Sequence, residues 1–196
     1  MTAGFRRRRR SRTVVAEFSG FEADLLRSLA SQLIELLRSE AAEPTSDDPL
    51  EAMFDFTGPT SAPDDPVLAR LFPSAYAHDD EAAGEFRRFT EGTLRTEKAT
   101  GAGAIIDALD DAGLPAQLTE ADDGLEIEVE LDLAAARTWM KSLTDVRLAL
   151  ATRLGVEEGD EEVWWAMPED DPRRHVHDIY EWVGELQETL VRAVTA

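Results

Sequence analysis

Forty-one carboxylates, three histidines and no cysteine are what this 196-residue sequence offers to chemistry. Without cysteine it holds no thiol nucleophile, disulfide, thiol switch or Cys-ligated metal. His175-x-His177-Asp178 has the residue types of a metal cluster, but positions i and i+2 on a helix point to different sides, so the spacing reads as a solvated helix N-terminus. His78 stands elsewhere, alone. Carboxylate pairs recur throughout so acidic a chain, and their adjacency carries no information about acid–base catalysis. No Ser or Thr has an evident His base in its sequence context. Gly101-Ala-Gly103-Ala-Ile-Ile lacks the preceding strand and the third glycine of a dinucleotide-binding loop and reads as flexible or close-packed helix. The sequence predicts no catalytic residue, no cofactor and no metal.

Charge is the second source of chemistry. The net charge is −21 and the pI about 4.4, yet Arg6, Arg7, Arg8, Arg9, Arg10 and Arg12 crowd a front end that has no acid before Glu17. As a free arm neutralising about six phosphates, these arginines would give a DNA-binding salt slope near −5. An anionic body close behind opposes that use, because its field reaches about 8 Å at physiological salt. Alternating arginines on a strand could instead face Glu126, Glu128 and Glu130, which recur at strand spacing, with Val14, Ala16, Ile127 and Val129 on the other face. A solvated tail is a third reading. Trp164-Trp165, in an acidic loop, is either an exposed docking spot for a partner or a lid folded onto the body.

The elements that must position these groups are legible from periodicity and punctuation. Residues 5 to 18 read as a short basic β-hairpin. Ser19-Gly-Phe-Glu22 is a capping box that opens a helix to about Glu40, with Phe21, Leu25, Leu29, Leu33 and Leu37 as its apolar stripe. Residues 41–65 and 156–171 read as acidic, mobile loops, the first with one short helix around Leu50, Met53, Phe54 and Phe56. Asp65-Pro66 opens a short helix stopped by Pro73. A longer helical region from Asp79 or Asp80 to Gly113 would bury Phe86, Phe89, Leu94, Ile105, Ile106 and Leu109. Four glycines, each costing about 1 kcal/mol against Ala, point to a kink or to two helices. A helix-turn-helix over residues 94 to 112 is disfavoured by Asp107, Asp110 and Asp111 in the would-be reading helix.

Leu125 to Asp132 alternates apolar and acidic residues at period two and reads as a strand after an Asp123-Gly124 turn, with Ala116 to Thr119 as possible partner. Asp132 to Leu154 reads as a helix buried along Trp139, closed by Gly155; the last helix opens at Asp171-Pro172. The expected fold is a single domain, mainly α (α+β): about four to six helices with a small antiparallel sheet from the N-terminus and residues 116–131. The arginine-rich start lacks the apolar run of an export signal, since Glu17, Glu22 and Asp24 interrupt it, and no stretch of 18 apolar residues occurs. A cytoplasmic protein with no membrane partner is expected. The wide stripe of the first helix is compatible with a homo-oligomer.

Several segments in order along the chain carry a family resemblance: FxxxLLRxLxxQLxxLL after the early β segment, DPVLARLFPSAYAHDDEAAGEFRRFTEGTLRTEK, WMKSLTDVRLALATRLGV and DIYEWVGELQETLV. Together they resemble an actinobacterial family named for the oxidative-stress transcriptional regulator AosR. The resemblance implies a cytoplasmic, non-enzymatic regulator that contacts transcription machinery through a sigma factor or polymerase subunit. The cysteine-based sensing that the name evokes cannot operate in this sequence, so its input is indirect or different. Arg87, Arg88, Arg95, Asp145 and Arg147 lie inside the matched motifs and are expected in interhelical ion pairs, with a partner surface as the sharper alternative. Direct DNA binding through the arginines is the alternative function, and a hydrolase or metal enzyme a distant third.

Overall fold

Arg12 turns the chain with a left-handed φ of 58° and donates its amide to the Arg8 carbonyl at 3.1 Å, joining two antiparallel strands. These are β1 (Arg6–Arg8) and β2 (Thr13–Ser19), in a register that sets Arg6 opposite Val15 and Arg8 opposite Thr13. The computed structural model describes residues 4–8, 12–39, 58–168 and 170–196; Arg9, Arg10 and the short helix expected around Met53 lie outside them.

β3 (Glu126–Leu131) pairs antiparallel with the other edge of β2, giving the order β1-β2-β3. The arginine strand is therefore not hydrogen-bonded to the glutamate strand, as a direct pairing would require. β2, paired on both edges, is the most buried strand: Val14, Ala16 and Phe18 line its inner face, and Val15 is buried as well. Nor do residues 116–119 form the expected partner strand. Thr119 instead caps a 3-10 turn, Glu120–Asp122, through reciprocal bonds with Asp122, and Gly124 (φ 81°) leads into β3.

The helices start where the sequence punctuates them. The Ser19 amide and hydroxyl both donate to Glu22 at 2.9 Å, opening α1 (Gly20–Ser39). Its buried line is Ala23, Leu26, Ala30, Leu33 and Leu37, rotated from the expected stripe so that Phe21 is 67% exposed and Leu25 and Leu29 are half-buried. Asp65 caps α2 (Pro66–Leu71), Asp79 caps α3 (Asp80–Asp111), Asp132 caps α4 (Leu133–Leu154) and Asp171 caps α6 (Pro172–Thr195). Between the last two lies α5 (Glu161–Trp165), inside the segment read as a loop. Gly155 closes α4 in the left-handed conformation, φ 69°.

α3 is one helix of 32 residues, about 48 Å long at 1.5 Å per residue, not two. Its continuity leaves no turn for a helix-turn-helix. Two of its glycines mark close approach: a Cβ on Gly101 would sit 2.8 Å from Ser142 Oγ on α4, and one on Gly84 would sit 2.8 Å from the Thr60 carbonyl. The fold is thus mainly α, with six helices and a three-stranded antiparallel sheet among the described residues. One core joins them, drawing on Phe5 and Phe18 of the hairpin region, α1 to α4, β3 and α6. Phe5 joins it with its ring edge-on to Phe18 (6.0 Å) and to Trp139 (5.7 Å).

Candidate functional site: charged and aromatic contact surfaces

Strand alternation divides the sheet into an apolar inner face and a charged outer one. On the outer face Glu17 lies directly opposite Glu128, a like-charge pair that destabilises a sheet unless a cation joins it. Arg6 supplies that cation, at 2.6 Å from Glu17 and 3.9 Å from Glu128. Arg8 reaches across β2 to two carboxylates at once, Glu128 at 2.9 Å and Glu130 at 2.7 Å, and Thr13 also donates to Glu130. The hydrogen bond that Arg8 donates to Glu128, with the charges of Glu128 and Glu130, raises the Arg8 pKa above the usual guanidinium value. The side chains are 38 to 52% exposed, so this lattice neutralises and registers the sheet more than it stabilises it.

The structure sorts the residues singled out from sequence. Arg6, Arg8, Glu128 and Glu130 are brought together, with Glu17 as a member that the sequence reading missed. Its signal was the outward position two residues before Ser19 in a strand that otherwise buries its apolar residues. Glu126 is exposed opposite Ser19 and makes no ion pair among the described residues. Arg7 falls between its neighbours in the pleat and is half-buried; Arg12 is exposed in the turn.

The two tryptophans separate for a geometric reason. Consecutive helical positions are about 100° apart, so Trp164 and Trp165 cannot share a face of α5. Trp164 packs inward, 9% exposed, stacked on His177 at 4.5 Å and 13°. Trp165 points to solvent, 87% exposed. His177, rather than acting with His175, is committed to this stack and to Tyr180 at 5.9 Å, over whose ring Arg147 lies at 5.2 Å.

The front half of α3 inverts the expected pattern. Phe86, Phe89 and Leu94 are 45, 51 and 41% exposed, whereas Arg87, Glu91 and Arg95 face inward. At i, i+4 and i+8 these three share a helix face: Glu91 accepts from Arg87 Nη1 at 2.6 Å and from Arg95 Nε at 2.8 Å. Each arginine also ties down a neighbour, Arg87 donating to the Phe72 carbonyl (3.1 Å) and Arg95 to the Leu37 carbonyl at the end of α1 (2.9 Å), with its guanidinium over the Phe72 ring. The cluster lies within one helix, in place of the interhelical pairing expected of Arg87 and Arg95. Interhelical contacts do form at Lys98 to Asp145 (2.6 Å, α3 to α4) and Arg147 to Gln187 (3.1 Å, α4 to α6). Arg88 lies over the Phe89 ring at 5.6 Å. Glu91 went unnoticed in the sequence, although Arg-x3-Glu-x3-Arg at helical spacing was its signature.

Fold and surfaces together define an acidic, mainly α protein whose small sheet carries a neutralised charge lattice. The chain belongs to the family described as Domain of unknown function (DUF2017), whose model matches residues 1–194. It is 30% identical over 183 residues to the "Oxidative stress regulator AosR" of Mycobacterium tuberculosis and of Mycobacterium bovis, covering 87% of this chain and 77% of each relative. It is 34% identical over 202 residues to the "Putative oxidative stress regulator AosR" of Mycobacterium leprae, covering 95% of this chain and 83% of that one. No solved structure matches the chain. Among the described residues no helix is long and apolar enough to cross a membrane.

Proposed function

We propose that this protein is a regulator, not an enzyme, that takes part in the response to oxidative stress by contacting proteins of the transcription machinery, a sigma factor or a polymerase subunit. The names of the relatives support the regulatory role. The observation that carries the mode of action is the engagement of Arg6 and Arg8 by Glu17, Glu128 and Glu130. A guanidinium already bonded to its own carboxylates must surrender those bonds before it can bind phosphate. The rest of an anionic body repels a duplex but steers towards basic protein surfaces. With no cysteine in the sequence, the input is not a thiol switch in this chain.

The test is a pair of measurements on the same preparation. Tagged protein captures purified sigma or polymerase subunits in nuclease-treated solution, and capture survives replacement of Arg6 to Arg10 by Ala. Binding of promoter DNA by the protein alone, with a steep salt slope that the same replacement abolishes, would overturn the reading in favour of direct DNA contact.

A further inference from the structure

Between the first turns of α1 and the first half of α6 lies an open groove of about 600 Å³. Its floor is apolar: Phe21 is 67% exposed, while Leu25, Ile179 and Trp182 are half-buried. Its rim is of one sign. Glu22, Asp178, Glu181 and Glu185 line it, and among the described residues no Lys, Arg or His does. Asp178, Glu181 and Glu185 recur at i, i+3 and i+7, one face of α6, and join no ion pair among the described residues. On the sheet, by contrast, Arg6 and Arg8 neutralise crowded carboxylates, and Arg87 and Arg95 neutralise Glu91.

We infer that this groove is the docking site for a cationic amphipathic helix of another protein, which seats apolar side chains on Phe21, Leu25, Ile179 and Trp182 and sets Lys or Arg against the acidic rim. Charge complementarity selects this occupant. Anionic lipid headgroups and nucleic acid carry the sign of the rim and are repelled by it. A second copy is disfavoured for the same reason, because a two-fold contact would set each acidic rim against its twin. From Asp178 to Glu185 the rim runs about 10 Å along α6, the length of two turns of a bound helix whose anchors recur at i, i+3, i+4 and i+7. The low-dielectric walls focus the field of the rim, which speeds encounter with a basic partner. The proposal deepens the protein-contact reading by naming its surface, and rests on it only for the identity of the partner.

The probe is a fluorescein-labelled Leu/Lys peptide of about 14 residues, or four helical turns, with leucines at helical spacing. Controls are a scrambled peptide of the same composition and a Leu/Glu peptide of the same pattern. Anisotropy titrations are expected to show saturable binding of the patterned peptide, at least tenfold weaker binding of the scramble and none of the Leu/Glu peptide. Phe21→Ala should weaken the patterned peptide by roughly tenfold or more, as loss of an aromatic anchor does. The triple change Asp178→Asn, Glu181→Gln, Glu185→Gln should weaken it by a similar factor and flatten its salt dependence. All these side chains are exposed, and unchanged circular dichroism establishes that the variants fold. Equal binding of patterned and scrambled peptides, or wild-type affinity in the Phe21→Ala variant, overturns the proposal, as does wild-type dimerisation that Phe21→Ala abolishes. If a sigma or polymerase subunit is captured equally by wild type and Phe21→Ala, the groove falls and the contact reading stands. If wild type captures no subunit but binds the patterned peptide, the groove stands and the choice of partner falls.

Discussion

Replacing Glu91 by Gln keeps the shape of the side chain and removes its charge, leaving Arg87 and Arg95 as two buried cations that face an amide. Glu91 is 2% exposed and the arginines 7 and 8%, so water cannot take over the lost charge as it does at a surface. Breaking a buried ion cluster by removing one partner costs about 3–5 kcal/mol. For a chain of this length each kcal/mol moves Tm by roughly 2–4 °C, so a fall of about 10 °C is expected. The chain supplies its own control. Glu188 and Arg192 stand at the same i, i+4 spacing on α6 but are 61 and 71% exposed, and Glu188→Gln should cost less than about 0.5 kcal/mol. Urea unfolding followed by far-UV circular dichroism, with m unchanged, reads both. A third variant separates charge from packing: Arg87→Met, Glu91→Leu and Arg95→Met together should recover most of the loss, since apolar replacement of a buried cluster is often neutral or better. Equal effects of Glu91→Gln and Glu188→Gln would refute the claim that burial gives the cluster its weight.

Three other consequences are open to measurement. The Arg173 side chain and backbone amide hold the Asp171 carboxyl down to about 2 from an ordinary 3.8, so its contribution to α6 is full above pH 4 and is lost as pH falls towards 2. Carboxyl-detected NMR should find this low midpoint, and Arg173→Ala should raise it. Alanine in place of Gly92 or Gly103 on α3, where an added Cβ meets nothing within 4 Å, should stabilise by about 1 kcal/mol; at Gly101 the gain should be cancelled by the clash with Ser142 and restored by Ser142→Ala. On the sheet, Arg6→Ala should lower Tm in low salt by leaving Glu17 and Glu128 facing each other, and Glu17→Gln should reverse most of that loss; equal Tm values in the two arginine states would remove the bridging role.

Much of the fold was written locally. Helix starts at Ser19, Asp65, Asp132 and Asp171, the stop at Gly155, and the strand Glu126–Leu131 all depend on groups within about four residues of one another, where side-chain oxygens meet backbone amides or alternation sets the faces. The predominance of helix with a small antiparallel sheet followed from those marks. The site was less legible. Apolar periodicity misassigned Phe86, Phe89 and Leu94 to the core because it assumes that charges stay outside, an assumption that fails where Arg87, Glu91 and Arg95 satisfy one another.

The sequence by itself determined the acidity, the absence of thiol chemistry and the clustering of arginine against a carboxylate-lined strand, since composition and spacing need no fold to be read. Tertiary structure decided which strand stands between them, which tryptophan turns inward, and that Asp178, Glu181 and Glu185 line one groove beside Phe21. Each of those depends on residues far apart in the chain, as Arg8 and Glu130 are, and only packing around the shared core brings such groups within reach.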